Sequence, residues 1–255
     1  MPPACHESPI AAVGGHGLAP SQDRGRTTVV TRKIRGITAF ALAFGAATMA
    51  FGHGDVAPQP VNTEALPDVG EEWLIENPYR AETAGDEVWW TAVTIGDSAY
   101  NQNCARCHGL GVVSGGLAPD LRYLEAAEYG DEWYVERFIH GYTQDGTTKM
   151  PGFGDVLGQK AAWAIRTYIE TRPEDGALDA HATRLGAIRN DLAAGGGDQT
   201  KLKEELTAIA LEVKTASGAP VADSAAKRAA LVLDGTPVGA KHAADALTIG
   251  LSATH

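Results

Sequence analysis

The spacing of apolar residues in the middle of the chain predicts helices. Gly96 and Tyr100 lie four residues apart, so on a helix they share one face. A second segment, "QKAAWAIRTYIETR", carries a broad apolar stripe that ends before Pro173. The stripe consists of Trp163, Ile165, Tyr168 and Ile169. Because glycine lets another backbone approach closely, the two helices are expected to cross near Gly96.

Between these two segments the pattern predicts one further helix. The segment "DEWYVERFIHG" has apolar residues at near-helical spacing. They are Trp133, then either Tyr134 or Val135, and then Phe138. No extended alternating runs indicate a sheet in this part of the chain. The pattern therefore predicts an all-α fold.

The last third of the chain, residues 174–255, is Ala-rich and also helical in pattern. One amphipathic helix is predicted from apolar residues spaced 4, 3 and 4 apart: Leu202, Leu206, Ile209 and Val213. Another is predicted from Leu185, Ile188 and Leu192, before Gly195–Gly197, and Asp223 or Ser224 is expected to cap a third that ends near Gly235. We expect a small bundle or hairpin packed on the preceding domain, with His181, His242 and His255 in solvent because no ligand spacing joins them.

The N-terminal pattern is typical of a secretory signal. Three basic residues at 32, 33 and 35 precede an apolar run over 37–52, which is shorter than the roughly 20 residues needed to span a membrane. Ala50 and Gly52 supply the small residues that precede a cleavage site, so the mature chain is expected to begin at His53. This predicts an exported, periplasmic protein without a stable membrane span after cleavage.

Residues 1–30 do not fit a signal peptide, which normally begins near its basic residues. We interpret them as a gene-boundary error, with a translation start near Val29 or Val30. The leader is then residues 1–52, with 1–30 untranslated and 31–52 as the signal peptide.

Charge and cysteine content narrow the function. The 255 residues carry a formal charge of −11 and no basic block after residue 36, so a nucleic-acid partner is not expected. The cysteines are at positions 5, 104 and 107, which excludes a disulfide scaffold and places the close pair in one motif.

That motif is C-x-x-C-H at Cys104, Cys107 and His108. Its spacing lets two thiols form thioethers with haem vinyl groups while the next residue ligates the iron. A zinc site would need a second ligand pair, and a thioredoxin-like site expects a βαβ setting. The motif therefore predicts one covalently bound haem c with His108 as an iron ligand.

Met150 is the expected sixth ligand. It is the one methionine of the mature chain and lies in "GTTKMPGFGD", where Pro151 and the glycines favour an extended loop that can bring the sulfur to the open haem face. Core packing is the ordinary fate of a methionine, and His140 is the competing ligand.

Two further features stay open on residue evidence alone. Pro119 in "GGLAPDL" either offers a rigid carbonyl to the second nitrogen of His108 or is a simple loop proline. Acidic residues either steer a basic partner or form a solvated face. These are Glu71, Glu72, Glu125, Glu128, Asp131, Glu132 and Glu136.

Together these residues resemble class I cytochrome c, in which terminal helices cross at a glycine and an aromatic pair. The similarity covers about residues 94–172. A wider segment from residue 53, including "IGDSAYNQNCARCHGL" and "SGGLAPDLR", resembles the PedF-type soluble cytochromes that accept electrons from quinoprotein alcohol dehydrogenases.

This resemblance implies thioethers at Cys104 and Cys107, ligation by His108 and Met150, and orientation of His108 by Pro119. It also implies a periplasmic one-electron carrier, not an enzyme, between a PQQ-dependent alcohol dehydrogenase and a terminal oxidase or another cytochrome. The interval between Pro119 and Met150 is shorter than in that group and lacks a cysteine-bearing insertion, so a loop that contacts the donor differs.

The predicted organisation has four parts. They are the leader 1–52, an N-terminal arm 53–93, a class I haem domain 94–173 and the helical extension 174–255. The extension lies outside the family pattern. A second hypothesis is therefore a cytochrome subunit fixed in a larger redox complex through this extension.

Overall fold

The computed structural model describes residues 57–252. The predicted signal peptide, the expected cleavage site before His53, Cys5 and His255 lie outside the described residues. Within the described range, no helix is both long and apolar enough to cross a membrane.

The described chain is mostly helical. Its α-helices are α1 (Ala81–Asn103), α2 (Ala105–His108), α3 (Glu128–His140), α4 (Gly154–Glu170), α5 (Ala182–Ala193), α6 (Gln199–Glu212), α7 (Ala225–Val232) and α8 (Pro237–Ser252). Short 3₁₀ turns occur at Leu110–Val112, Leu121–Tyr123 and Asp179–His181, and strands β1 (Tyr142–Gln144) and β2 (Thr147–Met150) complete the fold.

Helices α1 and α4 meet at Gly96. A Cβ atom added to Gly96 would lie 2.0 Å from the carbonyl oxygen of Ala164, so only glycine permits this approach. Beside the contact, the rings of Tyr100 and Tyr168 lie 5.5 Å apart between centroids. The expected contact between the two helices is therefore observed, with Gly96 at its narrowest point.

The chain before α1 is an ordered arm over residues 57–80. Gln159 of α4 binds it, because the Leu74 backbone N–H donates to Gln159 Oε1 (2.5 Å) and Gln159 Nε2 donates to the Glu72 carbonyl (2.9 Å). Helix α1 itself begins at Ala81, ahead of the expected domain boundary at residue 94.

A two-stranded hairpin interrupts the helices, which the apolar pattern did not predict. Strands β1 and β2 pair antiparallel, and the two residues between them, Asp145 and Gly146, have φ values of 51° and 72°. Positive φ at both central residues is what a tight type I′ turn requires, and Asp-Gly is a favoured sequence for it. The strands are mostly exposed, so they lack the apolar alternation by which strands are usually recognised.

The interpretation of Asp131 as a solvated or steering acid is wrong. Asp131 is fully buried, where it accepts a hydrogen bond from Arg166 (2.8 Å) and pairs with Arg80 (2.9 Å). Arg80 also pairs with the buried Glu170 (2.7 Å). The other six acidic residues named with it are exposed. Asp131 shares the face of α3 that packs on α4, and only that packing distinguishes it from its neighbours.

The extension contains the three expected helices, α5, α6 and α7, and a fourth, α8, which was not predicted. Ser224 caps α7 by accepting a hydrogen bond from the Lys227 backbone N–H (3.2 Å). The helices enclose an aliphatic core whose largest fully buried members are Leu185, Ile188, Leu206, Leu233 and Leu247. Helix α8 is rich in Ala and Gly, so its sequence carries few large apolar residues from which to read a period.

Buried charges join the extension to the preceding region. Asp223, just before α7, pairs with Arg172 and with Arg228 (2.5 Å). The Arg172 guanidinium lies 4.0 Å from the Tyr168 ring centroid, and Arg228 lies 5.4 Å from that of Trp90. The extension thus lies against the α1 and α4 helices.

His181 was expected in solvent, but its side chain is partly buried and its Nε2 lies 3.3 Å from a carboxylate oxygen of Glu212.

Candidate haem and electron-transfer site

The C-x-x-C-H motif occupies one tight turn at the end of α1. Cys104 ends α1, and the backbone N–H groups of Cys107 and His108 both donate to its carbonyl, at 3.1 and 3.0 Å. The turn therefore holds the two thiols and the imidazole close together on a short, hydrogen-bonded segment.

The two thiols differ in environment. Cys107 is exposed, whereas Cys104 packs against the core, and burial, followed by the nearby Cys107, raises the pKa of the Cys104 thiol to about 12. Reactive redox cysteines need a lowered thiol pKa, since the thiolate is the nucleophile. The raised value is the opposite of what a thioredoxin-like pair requires.

The imidazole of His108 contacts the loop that carries Pro119. Nδ1 of His108 lies 3.0 Å from the Pro119 carbonyl oxygen. A carbonyl only accepts hydrogen bonds, so Nδ1 carries the proton and Nε2 keeps its lone pair for a metal. Of the two interpretations that the sequence left for Pro119, this contact favours the orienting carbonyl.

Two contacts beside the motif were not predicted from the sequence. A Cβ atom on Gly109 would lie 1.8 Å from the Val113 carbonyl oxygen, so no larger residue fits directly after His108. The Tyr100 hydroxyl donates to the Gly109 carbonyl (2.9 Å). The glycine directly after the motif could have indicated the close backbone contact at Gly109. The hydrogen bond from Tyr100 could not be predicted, because it depends on how α1 ends.

Met150 is the last residue of β2 and is partly buried against the same apolar core as Cys104. Its backbone is extended, as the Pro-Gly context predicted, and it pairs with Tyr142. The competing residue His140 is exposed at the end of α3. The structure thus places Met150, and not His140, against the core that also contacts the motif.

Aromatic side chains line this core. Phe138 lies 5.8 Å from Tyr134 and 5.9 Å from Phe153, measured between ring centroids. Trp73 from the arm lies 6.2 Å from Phe138, a contribution that the sequence patterns did not identify. Such rings supply the apolar surroundings that a haem needs.

These residues fit a covalently bound haem. The donor set offers two thiols at thioether spacing, one imidazole nitrogen left free by the Pro119 contact, and an extended methionine at the same core. When bound, the haem supplies an iron centre that cycles between ferric and ferrous states, while the chain supplies ligands, orientation and an apolar wall.

Comparisons with known proteins identify the family of the segment that contains these residues. Residues 91–169 match the family model described as cytochrome c oxidase, cbb3-type, subunit III. The chain is 49% identical to cytochrome c550 of Pseudomonas aeruginosa, over 54% of this chain and 92% of that protein. The chain belongs to the cytochrome c family. It therefore carries covalently bound haem c with iron, and the expectation of an electron carrier that is not an enzyme is confirmed.

Other relatives match smaller parts. The quinohemoprotein alcohol dehydrogenase ADH IIB of Pseudomonas putida is 29% identical over 49% of this chain but only 15% of its own length. The cbb3-type cytochrome c oxidase subunit FixP of Rhizobium meliloti is 29% identical over 44% of this chain and 38% of its own length. No solved structure matches the chain significantly.

Proposed function

We propose that this cytochrome has the class I arrangement and carries one haem, with thioethers at Cys104 and Cys107 and iron ligation by His108 and Met150. The contact between His108 Nδ1 and the Pro119 carbonyl carries this proposal, because it leaves Nε2 of the residue next to Cys107 free to bind iron. The contact of α1 and α4 at Gly96 supports the class I arrangement. With both axial positions filled, the iron has no open site for a substrate, so the site exchanges electrons only.

Absorption spectra of the purified haem protein test the ligands. The ferric protein is expected to show the weak band near the red edge that reports methionine sulfur on iron. Met150→Leu is expected to lose that band, and His140→Ala, the matched control, is expected to keep it. Loss of the band in His140→Ala alone would refute Met150 as the ligand.

We further propose export to the periplasm through a signal peptide cleaved before His53. The basic residues before the apolar run over 37–52 support this. N-terminal sequencing of the mature protein is expected to read His53-Gly54-Asp55. A mature chain that begins at Met1 would contradict it.

As donor we propose a PQQ-dependent alcohol dehydrogenase, and as acceptor a terminal oxidase or another cytochrome. The similarity to a quinohemoprotein alcohol dehydrogenase and to an oxidase subunit supports these partner classes, since both relatives contain a stretch like this chain. Mixing the oxidised cytochrome with purified quinoprotein dehydrogenase and alcohol is expected to reduce the haem rapidly, and omission of the alcohol is the control. No reduction by any such dehydrogenase would exclude this donor.

The alternative is a subunit held in a larger redox complex through the extension. The family model that matches residues 91–169 is described as an oxidase subunit, which supports this alternative. Gel filtration and copurification of the full chain and of a chain ending at Pro173 distinguish the two. A free carrier migrates alone in both forms, whereas a fixed subunit copurifies with partners only when the extension is present.

A further inference from the structure

The loop that contains Pro119 is held by hydrogen bonds within the loop and by the ion pairs of Arg122. Inside the loop, the Ser114 hydroxyl donates to the Ala118 carbonyl and accepts from the Gly116 backbone N–H (3.0 Å). These bonds close the turn but do not connect it to the rest of the protein. The connection comes from the residue after Pro119.

Asp120 is bound through both carboxylate oxygens. Oδ1 accepts from the backbone N–H and from Nε of Arg122, each at 3.1 Å. Oδ2 accepts from Arg122 Nη2 (2.9 Å) and from the Ser114 backbone N–H (3.4 Å). Because the Pro119 carbonyl and the Asp120 nitrogen share one planar peptide, holding Asp120 also holds that carbonyl.

Arg122 is an unusual residue to find at this point of a small loop, because its side chain is only 7% exposed. Its third contact is to Asp175, just after α4, at 2.6 Å. The hydrogen bond from Arg122 holds the pKa of the Asp120 carboxyl below its usual range, so the pair is ionised at neutral pH. The forked geometry of guanidinium matches the carboxylate in a way that an ammonium group cannot.

We propose that Arg122 is a positioning residue for the iron ligand: through Asp120 it fixes the Pro119 carbonyl that orients the His108 imidazole, and so sets the reduction potential. This inference rests on the proposed ligation by His108. Asp175 connects the same guanidinium to the first residues of the extension. Its side chain is 77% exposed, so this ion pair is expected to hold Arg122 less firmly than Asp120 does.

The physical consequence has a definite sign. A carbonyl that accepts the Nδ1 proton makes the imidazole a more basic ligand, which favours ferric iron and lowers the potential. Loosening the loop weakens that bond and raises the potential. Removing a nearby positive charge acts in the opposite direction, because ferric iron carries the larger positive charge.

The experiment is equilibrium redox titration of the full-length, haem-loaded protein. Arg122→Gln and Arg122→Lys are both expected to shift the ferrous-to-ferric ratio toward ferrous by about threefold to tenfold, where tenfold corresponds to ~59 mV for one electron. Asp175→Asn is expected to shift the ratio in the same direction but less. Arg184→Gln, which removes an exposed cation paired with Glu205 on the extension, is the control and should leave the potential unchanged.

Two results would overturn the inference. A lower potential in Arg122→Gln would mean that loss of the positive charge outweighs any loosening of the loop, so positioning by the arginine would not set the potential. An unchanged or lower potential in Arg122→Lys would mean that the fork does not position the ligand, and this variant decides the matter if Arg122→Gln does not accumulate as holoprotein.

The wild-type spectrum separates this inference from the proposed ligation. If the wild-type protein lacks six-coordinate iron with a methionine band, the ligand assignment fails before any Arg122 variant is compared. If the wild type has that spectrum and the Arg122 variants keep its potential, only the positioning role fails.

Discussion

The haem region, residues 57–173, and the extension, residues 174–252, are both helical but have different cores. The haem region contains every aromatic residue of the described chain, among them the fully buried Trp89, Trp163 and Tyr100. The core of the extension consists of Leu, Ile, Val and Ala. The haem region also buries charged side chains, Asp131 and Arg166, at its centre.

This difference separates two tasks. A haem site needs flat rings, fixed polar groups and close backbone contacts. The buried charges of this region connect the arm and α3 to α4, at a cost in desolvation. The extension needs only enough aliphatic burial to fold against its neighbour. The two regions meet through Asp223, which pairs with Arg172 and Arg228, and each of these arginines lies over an aromatic ring.

The sharpest test of this separation removes the thiols of the haem region. The double variant Cys104→Ser, Cys107→Ser is expected to lose all covalent haem, because both thioether bonds need sulfur. Haem staining of a denaturing gel measures it. The wild-type protein is the control, and persistent staining of the double variant would contradict the assignment.

The next effect tests the buried charges. Asp131→Ala leaves Arg166 buried without its main partner, so the free energy of unfolding is expected to fall by about 3–5 kcal/mol in denaturant titration. Glu132→Ala, at the exposed neighbouring position, should change it by less than about 0.5 kcal/mol. An equal loss of unfolding free energy in the two variants would mean that the buried Asp131 does not stabilise the haem region.

A comparable test in the extension removes aliphatic burial. Leu206→Ala is expected to cost about 3 kcal/mol, because Leu206 is fully buried on α6. The exposed Leu211 on the same helix is the control. Redox titration of Leu206→Ala should give the wild-type potential, and a changed potential would show that the two regions are coupled.

The smallest expected change in stability concerns Asp223, at the contact between the two regions, and it depends on pH. Burial alone would raise the pKa of Asp223, but the charges and hydrogen bonds of Arg172 and Arg228 outweigh it and hold this pKa below its usual range. Its folded pKa is thus below the unfolded value of about 3.9, so the stabilisation is complete above that value and is lost as pH falls through the folded pKa.

Asp223→Asn is therefore expected to be less stable than wild type by about 1.5 kcal/mol at pH 7, a typical value for hydrogen bonds to a charged group. The difference should shrink as the pH falls below 4. Urea unfolding at several pH values measures it, with the exposed Asp191→Asn as control. A difference that stays constant with pH would exclude this role for the Asp223 charge.

Much of the site could be predicted because its signals are local. Cys104, Cys107 and His108 lie within one turn, and Gly96 and Tyr100 are four residues apart on one helix. The hairpin that ends at Met150 also had a local signal, the Asp-Gly turn, but its exposed strands lacked apolar alternation. Long-range contacts had no such signal, so Trp73 and Arg122 were not identified.

The sequence by itself determined the chemistry of this cytochrome: one haem-attachment motif, one methionine in an extended loop, and helices with an apolar face. Those properties follow from residue type and short spacing. Only the tertiary structure decided that Asp131 is buried, that Arg122 holds the loop of Pro119, and that the extension lies on α1 and α4. The physical reason is that burial and ion pairing depend on residues distant in the chain, as the pairs Arg122–Asp175 and Arg166–Asp131 illustrate.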